Sequence, residues 1–334
     1  MNQDITLSDY QASLDRVRPW VRKTPLVETA PWQPVPGIEL RLKAECCQVT
    51  GSFKARGAFN RVLNLPLSVR QQGLATASGG NFGAAVAYVG QQLSIPADVF
   101  VMNTSTDLTR KRIESYGAKL TVEGDFWDQS WDAAGVRVKE TGGALLHPYA
   151  DRDVVIGQGT IVLEILEQWP EVDTLVVSIG GGGLIAGVAQ AAKLLKPDIR
   201  IIGVEAAGCP MMWTSRQQQK IVKLENVKTI VPILAARSTE AINFALTAQY
   251  VDEIVLVPED QVEASAREVW ASTGLAIELG AATAVAAVTR RCFVTNPDEK
   301  IAVVLCGSGT NITARYHQTN RKNDTGKTQS RGQF

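Results

Sequence analysis

Histidine is scarce in this sequence. Only two are present among 334 residues, His147 and His317, and the second lies in a polar carboxy-terminal segment. A Ser-His-Asp triad or a histidine-rich metal centre would therefore depend on His147 alone, because both need an imidazole at a fixed place. We expect any reaction catalysed by this chain to use a different base.

Neither sign of charge is in excess. The 34 basic and 34 acidic residues cancel, so the formal net charge is zero. Nucleic-acid binding draws much of its affinity from a basic field, and we therefore expect no nucleic-acid partner. Hydrophobic residues make up 45% of the chain, which is enough for a sizeable core and excludes an acidic, disordered chain.

Cysteines are few, and long apolar runs are missing. The five cysteines form no CxxC spacing, so we expect neither a disulfide framework nor a metal site of the zinc type. The unbroken apolar stretches, such as residues 84–89 and 301–306, are much shorter than a membrane span. The polar N-terminus contains Asp4 and has the pattern of neither a signal peptide nor a transit peptide. These absences predict a cytoplasmic protein with no membrane partner.

Short β-rich apolar runs alternate with longer helical patterns along the chain. Strands are predicted at residues 39–42, 74–77, 98–102, 119–123, 144–146, 174–179, 199–205, 253–257 and 301–306. Helices are predicted at residues 53–65, 83–92, 107–116, 129–141, 157–169, 187–195, 260–272 and 280–291. This alternation indicates βαβ units around parallel sheet, and hence an α/β fold. The polar residues 317–334 cannot bury apolar area and are predicted to be disordered.

Two glycine-containing segments are predicted to lie at helix starts, where open α/β sheets bind ligands. Residues 50–58 place Lys54 just inside a helix. The partial positive charge of a helix N-terminus disfavours a cation there, so the pKa of this lysine should tend downward. Such a lysine is a candidate Schiff-base nucleophile, with a solvated lysine at a frayed turn as the alternative. Residues 78–83 expose backbone N–H groups, which suit a carboxylate or phosphate but equally form an ordinary turn.

A third segment, residues 178–184, contains four consecutive glycines between a strand and a helix. Four glycines cost backbone entropy that a simple turn does not require, so close approach of backbone amides to a phosphate explains them economically. A rival interpretation is a dinucleotide site, because Gly181-x-Gly183-x-x-Ala186 fits that fingerprint and Glu205 ends the next strand. The lack of a catalytic histidine disfavours the corresponding dehydrogenase.

The fourth segment, residues 305–311, follows the most strand-like run and contains Cys306. A buried structural cysteine is the commonest role of such a residue. A neutral thiol facing the edge of a cofactor is the functional alternative.

In this order, the segments resemble the fold type II pyridoxal-phosphate (PLP) enzymes, and most closely their serine/threonine dehydratase branch. Within that branch the chain resembles threonine ammonia-lyases, and a resemblance to phenylserine dehydratases stays open. The resemblance implies a fold like that of the tryptophan synthase β subunit, with two open, twisted, mostly parallel sheets. Residues 1–70 and 150–316 would form a large PLP-binding domain, and residues 71–149 a small domain that carries the substrate-carboxylate loop. The resemblance also implies a homodimer. It is carried by residues 51–58, 78–81, 147–149, 157–160, 180–183, 203–205, 278 and 306–309.

The resemblance also implies roles for individual residues. Lys54 would form the Schiff base with PLP and later act as base and acid. The remaining cofactor contacts would be Phe53 against the pyridine ring, Asn81 at the ring hydroxyl, Cys306 at the pyridine nitrogen, and Gly180, Gly181, Gly182, Gly183 and Leu184 around the phosphate. The substrate carboxylate would be seated by Ser78, Gly79, Gly80, Asn81 and Phe82.

Several positions depart from the pattern of the family. Racemases of this group place a serine acid/base where Gly79 stands, so we expect elimination without efficient racemisation. Relatives that bind a divalent cation have an aspartate where this chain has Met211, so we expect no metal at Glu205. Phe82 replaces a common histidine, and Ile233 replaces a glycine near the cofactor. With Tyr149, these two would suit an apolar or aryl β-substituent.

The sequence thus predicts a PLP-dependent dehydratase, an ammonia-lyase. It would remove water from a β-hydroxy-α-amino acid of the threonine, serine or phenylserine type, giving a 2-oxo acid and ammonia. Two alternatives remain open. One is a β-replacement synthase of the same fold, which needs a second nucleophilic substrate, and the other is a non-catalytic amino-acid-binding sensor.

Overall fold

The computed structural model describes residues 4–30 and 32–309, so the predicted disorder of residues 317–334 lies outside the described part. Its ten strands are β1 (Leu26–Glu28), β2 (Ile38–Lys43), β3 (Leu74–Ala77), β4 (Ala97–Val101), β5 (Lys119–Val122), β6 (Ala144–Leu145), β7 (Thr174–Ser178), β8 (Arg200–Ala206), β9 (Glu253–Val257) and β10 (Glu299–Val304). Its twelve α-helices are α1 (Leu7–Val17), α2 (Lys54–Asn64), α3 (Leu67–Arg70), α4 (Asn81–Leu93), α5 (Asp107–Glu114), α6 (Trp127–Thr141), α7 (Arg152–Gln168), α8 (Gly183–Leu195), α9 (Met211–Gln217), α10 (Ala241–Tyr250), α11 (Glu259–Thr273) and α12 (Leu279–Thr289).

The strands form two separate sheets. The six-stranded sheet has the order β1-β2-β10-β7-β8-β9, and only β1 runs antiparallel to its neighbour. The four-stranded sheet has the order β5-β4-β3-β6 and is parallel throughout. The predicted α/β class with two mostly parallel sheets is therefore confirmed. The domain boundaries at residues 70/71 and 149/150 stay a prediction.

All nine predicted strands and eight predicted helices have counterparts, but some elements were missed. Strand β1 has only three residues and lies at a sheet edge, so it carries too little pattern to be found. Helices α1, α3, α9 and α10 were also missed, although Thr6 and Asp9 form a capping box at the start of α1. In addition, α4, α7 and α8 begin two to five residues before the predicted starts, since α4 starts at Asn81, α7 at Arg152 and α8 at Gly183.

Close glycine contacts join α2, the helix that begins at Lys54, to α7, and join α7 in turn to α8. A Cβ added to Gly157 in α7 would lie 2.6 Å from the Cα of Gly57 in α2. A Cβ on Gly187 in α8 would collide with the carbonyl oxygen of Val155 in α7. Glycine is unfavourable inside helices by about 1 kcal/mol relative to alanine, yet here it lets three backbones approach closely. These contacts fix the position of α2 and therefore of its first residue.

The apolar core follows the two sheets. Around the six-stranded sheet pack side chains such as Val176, Ile202 and Val303, all fully buried. A second cluster around β3 and β4 includes Phe59, Phe82 and Val99. Among residues 4–30 and 32–309, every helix is too short or too polar to cross a membrane.

Candidate active site

Lys54 is the first residue of α2, and its neighbours hold it beside the carboxy-terminal loop. Phe53 N–H donates to the Cys306 carbonyl at 3.1 Å, and Ser52 makes a bridge to Gly307. The loop after β10 therefore lies directly against the segment that leads into α2. In this way the fold brings together two predicted site residues, Lys54 and Cys306, that are far apart in the sequence.

The amine of Lys54 points into the interior of the site. Its Nζ donates to the carbonyl of Pro148 at 2.6 Å and lies 5.0 Å from the Phe53 ring centroid and 5.6 Å from that of Phe82. Burial lowers the pKa of Lys54 to about 8, against opposing contributions from Cys306 and Glu278. The direction is the predicted one, but the main cause is burial rather than the helix terminus.

The loop from Ser78 to Phe82 connects β3 to α4. Gly80 is the N-cap of α4, and Asn81 and Phe82 form its first turn. The Ser78 N–H donates to the Phe100 carbonyl at 3.0 Å, so it is not available to a ligand. The N–H groups that remain for a ligand are those of the residues after Ser78. Helix geometry leaves the first N–H groups of α4 without intrahelical acceptors, which is the arrangement that attracts a carboxylate.

The four consecutive glycines lead into α8, and the packing of Tyr149 explains two of them. A Cβ on Gly181 would lie 2.5 Å from the Tyr149 ring, and one on Gly183 would lie 2.9 Å from the Tyr149 Cα. Gly182 is the N-cap of α8 with a φ of 92°, a conformation that side chains disfavour. The loop thus presents bare backbone at a helix N-terminus, the geometry of a phosphate seat.

Two residues that were not predicted from the sequence hold this loop by hydrogen bonds to its backbone. Thr239 Oγ1 and Asn243 Nδ2 each donate to the Gly181 carbonyl at 2.9 Å. Asn243 Nδ2 also donates to the Tyr149 carbonyl at 3.1 Å. The Gly181 oxygen is therefore turned toward α10. No local sequence signal marks Thr239 or Asn243, since both act from more than 50 residues away along the chain.

Cys306 is buried beside a carboxyl group. Its Sγ donates to Glu278 Oε1 at 3.5 Å. Burial raises the pKa of this thiol well above its ordinary value, and the adjacent Glu278 raises it further. A raised pKa keeps this thiol neutral, which agrees with both interpretations of the fourth segment, so the role of Cys306 at a cofactor stays a prediction.

Glu278 belongs to the same cluster and was not among the predicted site residues. It accepts a hydrogen bond from Asn81 Nδ2 at 2.8 Å, and Arg112 Nη1 donates to Asn81 Oδ1 at 3.3 Å. Burial raises the pKa of Glu278 above its usual value. A sequence signal existed, because Glu278 is the only charged residue between Glu268 and Arg290.

The three residues expected to shape the substrate pocket all lie around these loops. Phe82 is 1% exposed, with its ring near the Lys54 amine. Ile233 is 42% exposed, and its Cδ1 would lie 3.1 Å from a Cβ on Gly80, while its Cγ2 would lie 2.8 Å from one on Gly280. Tyr149 covers Gly181. An exposed, branched apolar side chain therefore stands beside the loop from Ser78 to Phe82.

Glu205 caps the helix α9. Its two oxygens accept the backbone N–H groups of Met212 and Trp213 at 2.8 Å each. Burial raises its pKa to about 7. Within the described ranges, no group of three or more His, Cys, Asp or Glu side chains is arranged to hold a metal ion.

The residues present fit PLP as a bound group. The tetraglycine turn supplies a helix N-terminus without side chains, suited to a phosphate. The Lys54 amine lies beside Pro148, next to Tyr149, which packs on that turn. The buried hydroxyl of Ser52, two residues before Lys54, has no hydrogen-bond partner among the residues that the structure describes. An amine close to a helix N-terminus without side chains, with an unpaired buried hydroxyl two residues away in the sequence, matches an aldehyde that carries a phosphate.

Comparison with known proteins identifies relatives that use pyridoxal phosphate. A family model described as pyridoxal-phosphate dependent enzyme matches residues 17–307. The chain is 34% identical to an L-threonine ammonia-lyase of Thermotoga maritima, over 92% of this chain and 76% of that protein. It is 35% identical to a phenylserine dehydratase of Ralstonia pickettii, over 88% of this chain and 90% of the relative. The structure of maize serine racemase superposes with a TM-score of 0.91 at 28% identity, covering 97% of this chain and 99% of that one.

Proposed function

The chain belongs to the family of pyridoxal-phosphate-dependent enzymes, and from this premise we propose that it removes water from a β-hydroxy-α-amino acid to give a 2-oxo acid and ammonia. One observation carries the proposal. The buried Lys54 amine lies beside the first turn of α4 and beside the Pro148–Tyr149 segment that packs on the start of α8. A proton-accepting amine therefore adjoins both a carboxylate seat and a phosphate seat.

The chain's own residues have separate tasks in this reaction. PLP, when bound, supplies the electron sink that makes the α-proton of the amino acid acidic. Lys54 accepts that proton, for which its lowered pKa is suited. The N–H groups that follow Ser78 at the start of α4 hold the substrate carboxylate. The Cα–H and Cβ–O bonds break, water leaves, and hydrolysis of the resulting enamine gives the 2-oxo acid and ammonia.

Cys306 and the phosphate turn would hold the cofactor. The backbone of Gly180, Gly181, Gly182, Gly183 and Leu184 would hold the phosphate, Phe53 would pack on the ring and Asn81 would donate to the ring hydroxyl. Cys306 would contact the pyridine nitrogen as a neutral thiol, because burial raises the pKa of this thiol. A neutral thiol lacks the negative charge that would keep that nitrogen protonated, which favours prompt elimination over transamination.

Gly79 supports elimination rather than racemisation. Racemisation needs an acid on the face of the substrate opposite Lys54, and Gly79 has no side chain to supply one. The nearby space is also partly filled, since a Cβ on Gly79 would lie 3.3 Å from the Cβ of Ser105. The likeness to serine racemase therefore supports a shared fold and cofactor, and we propose that d-enantiomer formation is much slower than elimination.

Ile233 supports a β-substituent that is apolar, in particular an aryl group. Its side chain stands between Gly80 and Gly280 with 42% of its surface exposed to solvent, and Phe82 adds an aromatic ring near Lys54. Contact with an apolar substituent would bury this exposed surface and so favour binding. A phenylserine dehydratase among the relatives supports the same substrate class.

The test is a substrate panel with the PLP-loaded protein. We expect 2-oxo acid from l-phenylserine and more slowly from l-threonine and l-serine, with little d-enantiomer. Lys54→Ala should abolish the product, and Lys23→Ala, which alters an exposed ion pair with Glu167, should leave it unchanged. Product only when a second nucleophile is added would favour the β-replacement synthase, and ligand binding without any product would favour the sensor. Homodimer formation and a cytoplasmic location stay parts of the proposal.

A further inference from the structure

The Asn81 amide is held in one orientation by two charged groups. Its oxygen accepts from the Arg112 guanidinium at 3.3 Å, while its nitrogen donates to Glu278 Oε2 at 2.8 Å. A flipped amide would place its NH₂ against the guanidinium and its oxygen against the carboxylate, and both contacts would be repulsive. The observed orientation leaves the second N–H of Asn81 as a donor.

The Glu278 side chain is itself fixed by the backbone around it. The backbone N–H of Glu278 donates to the Gly307 carbonyl at 3.0 Å. A Cβ on Gly307 would lie 2.5 Å from Glu278 Cδ, and one on Gly309 would lie 2.8 Å from Glu278 Cα. Two glycines of the carboxy-terminal loop therefore make room for this residue, and its second oxygen accepts from Cys306.

Glu278 thus makes hydrogen bonds with two residues, Asn81 and Cys306, that we propose contact the cofactor ring. Asn81 comes from the turn after β3, and Cys306 comes from the loop after β10. The chain of contacts continues through Arg112, which also donates to the carbonyl of Thr50. Thr50 has a φ of 58°, unusual for a β-branched residue, and it lies four residues before Lys54.

We propose that Glu278 is a positioning residue that fixes the Asn81 amide as a donor and the Cys306 thiol beside it, so that both meet the ring of the bound cofactor in one arrangement. The inference rests on the cofactor of the family and not on the proposed substrate. It is therefore tested by the affinity for PLP, which is measured without turnover.

The experiment is a titration of the apo-protein with PLP, followed by visible absorbance. Glu278→Ala should weaken PLP binding about tenfold or more, because the Asn81 amide loses the acceptor that fixes its orientation. Glu278→Gln should largely restore the affinity, since its amide oxygen can still accept from Asn81. Glu259→Gln is the control for the loss of a hydrogen-bonded carboxylate, because Glu259 accepts from the backbone N–H groups of Gly208 and Ile230 rather than from Asn81 and Cys306.

A double-mutant cycle separates positioning from a general structural effect. If Glu278 acts through Asn81, the loss caused by Glu278→Ala should shrink markedly when Asn81→Ala is already present. Arg112→Ala gives a second cycle that leaves Glu278 intact, and its effect on the affinity for PLP should also shrink when Asn81→Ala is present. The proposal would be overturned if Glu278→Ala and Arg112→Ala each lowered the affinity for PLP equally with Asn81 and with Asn81→Ala. It would also be overturned if Glu278→Gln bound PLP as weakly as Glu278→Ala.

Discussion

The guanidinium of Arg56 donates to the carboxylate of Glu164 at 2.7 Å in the interior of the protein, two residues after Lys54. The same guanidinium donates to Glu45 at 2.8 Å, and Lys43 donates to Glu164 at 2.7 Å. This buried cluster joins β2, α2 and α7, and it anchors the helix that begins at Lys54.

Removing Arg56 should be strongly destabilising. Arg56→Met leaves Glu45 and Glu164 with fewer partners in the interior, and breaking such a buried pair typically costs about 3–5 kcal/mol. The free energy of unfolding by urea measures this loss. Lys23→Met at the exposed pair with Glu167 is the control, for which we expect a change of about 0.2–1 kcal/mol. Similar small changes in both variants would show that the cluster does not stabilise the fold.

Gly57 should not tolerate a methyl group. A Cβ there would lie 2.8 Å from the carbonyl oxygen of Val154 and would collide with the Gln158 side chain. We expect Gly57→Ala to lower the free energy of unfolding by about 1–3 kcal/mol, as overpacking does. Gly135→Ala, in helix α6 with open space around its Cα, should instead raise it by about 0.4–1 kcal/mol. Thermal or urea unfolding of the two variants gives the comparison, and a stable Gly57→Ala protein would refute the close helix crossing.

Capture of the cofactor by the apo-protein should accelerate as pH rises through about 8. Only the neutral amine of Lys54 attacks an aldehyde, and burial lowers the pKa of this amine to about 8 from its ordinary value of 10.5. The lowered pKa means that the amine is already neutral above pH 8. The rate of capture, followed by visible absorbance, gives the midpoint. A midpoint at the pH of an ordinary lysine would contradict the buried position of this side chain.

Ile233 should set the preference for the β-substituent. We expect Ile233→Ala to lower kcat/KM for phenylserine relative to threonine by about tenfold, because a few methylene groups in an apolar pocket contribute about 1–3 kcal/mol. Ile230→Ala is the matched control, since Ile230 is similarly exposed, three residues earlier in the chain. An unchanged ratio of the two kcat/KM values for Ile233→Ala would remove the structural reason for an aryl substrate.

Local patterns explain what could be predicted from the sequence. The strand and helix order, the place of Lys54 at a helix start and the tetraglycine turn are all visible within short windows. Three helices were predicted to begin at Gly83, Gly157 and Gly187, which is two to five residues too late. Gly83, Gly157 and Gly187 instead lie inside helices, where each meets a neighbouring backbone or side chain closely.

Long-range contacts explain what could not be predicted. The hydrogen bond between Asn81 and Glu278 joins residues 197 positions apart, so no local pattern couples them. The contacts of Thr239 and Asn243 with Gly181 depend in the same way on the assembled fold. The isolation of Glu278 in an apolar stretch was the single local indication of a special role.

The most direct test of the account is the joint measurement of ammonia and 2-oxo acid from one β-hydroxy-α-amino acid, with the PLP-loaded protein and no added nucleophile. The account predicts that the two products appear in equal amounts and at equal rates, and that Lys54→Ala produces neither. Continued absence of both products with every β-hydroxy amino acid supplied, while PLP remains bound, would contradict it.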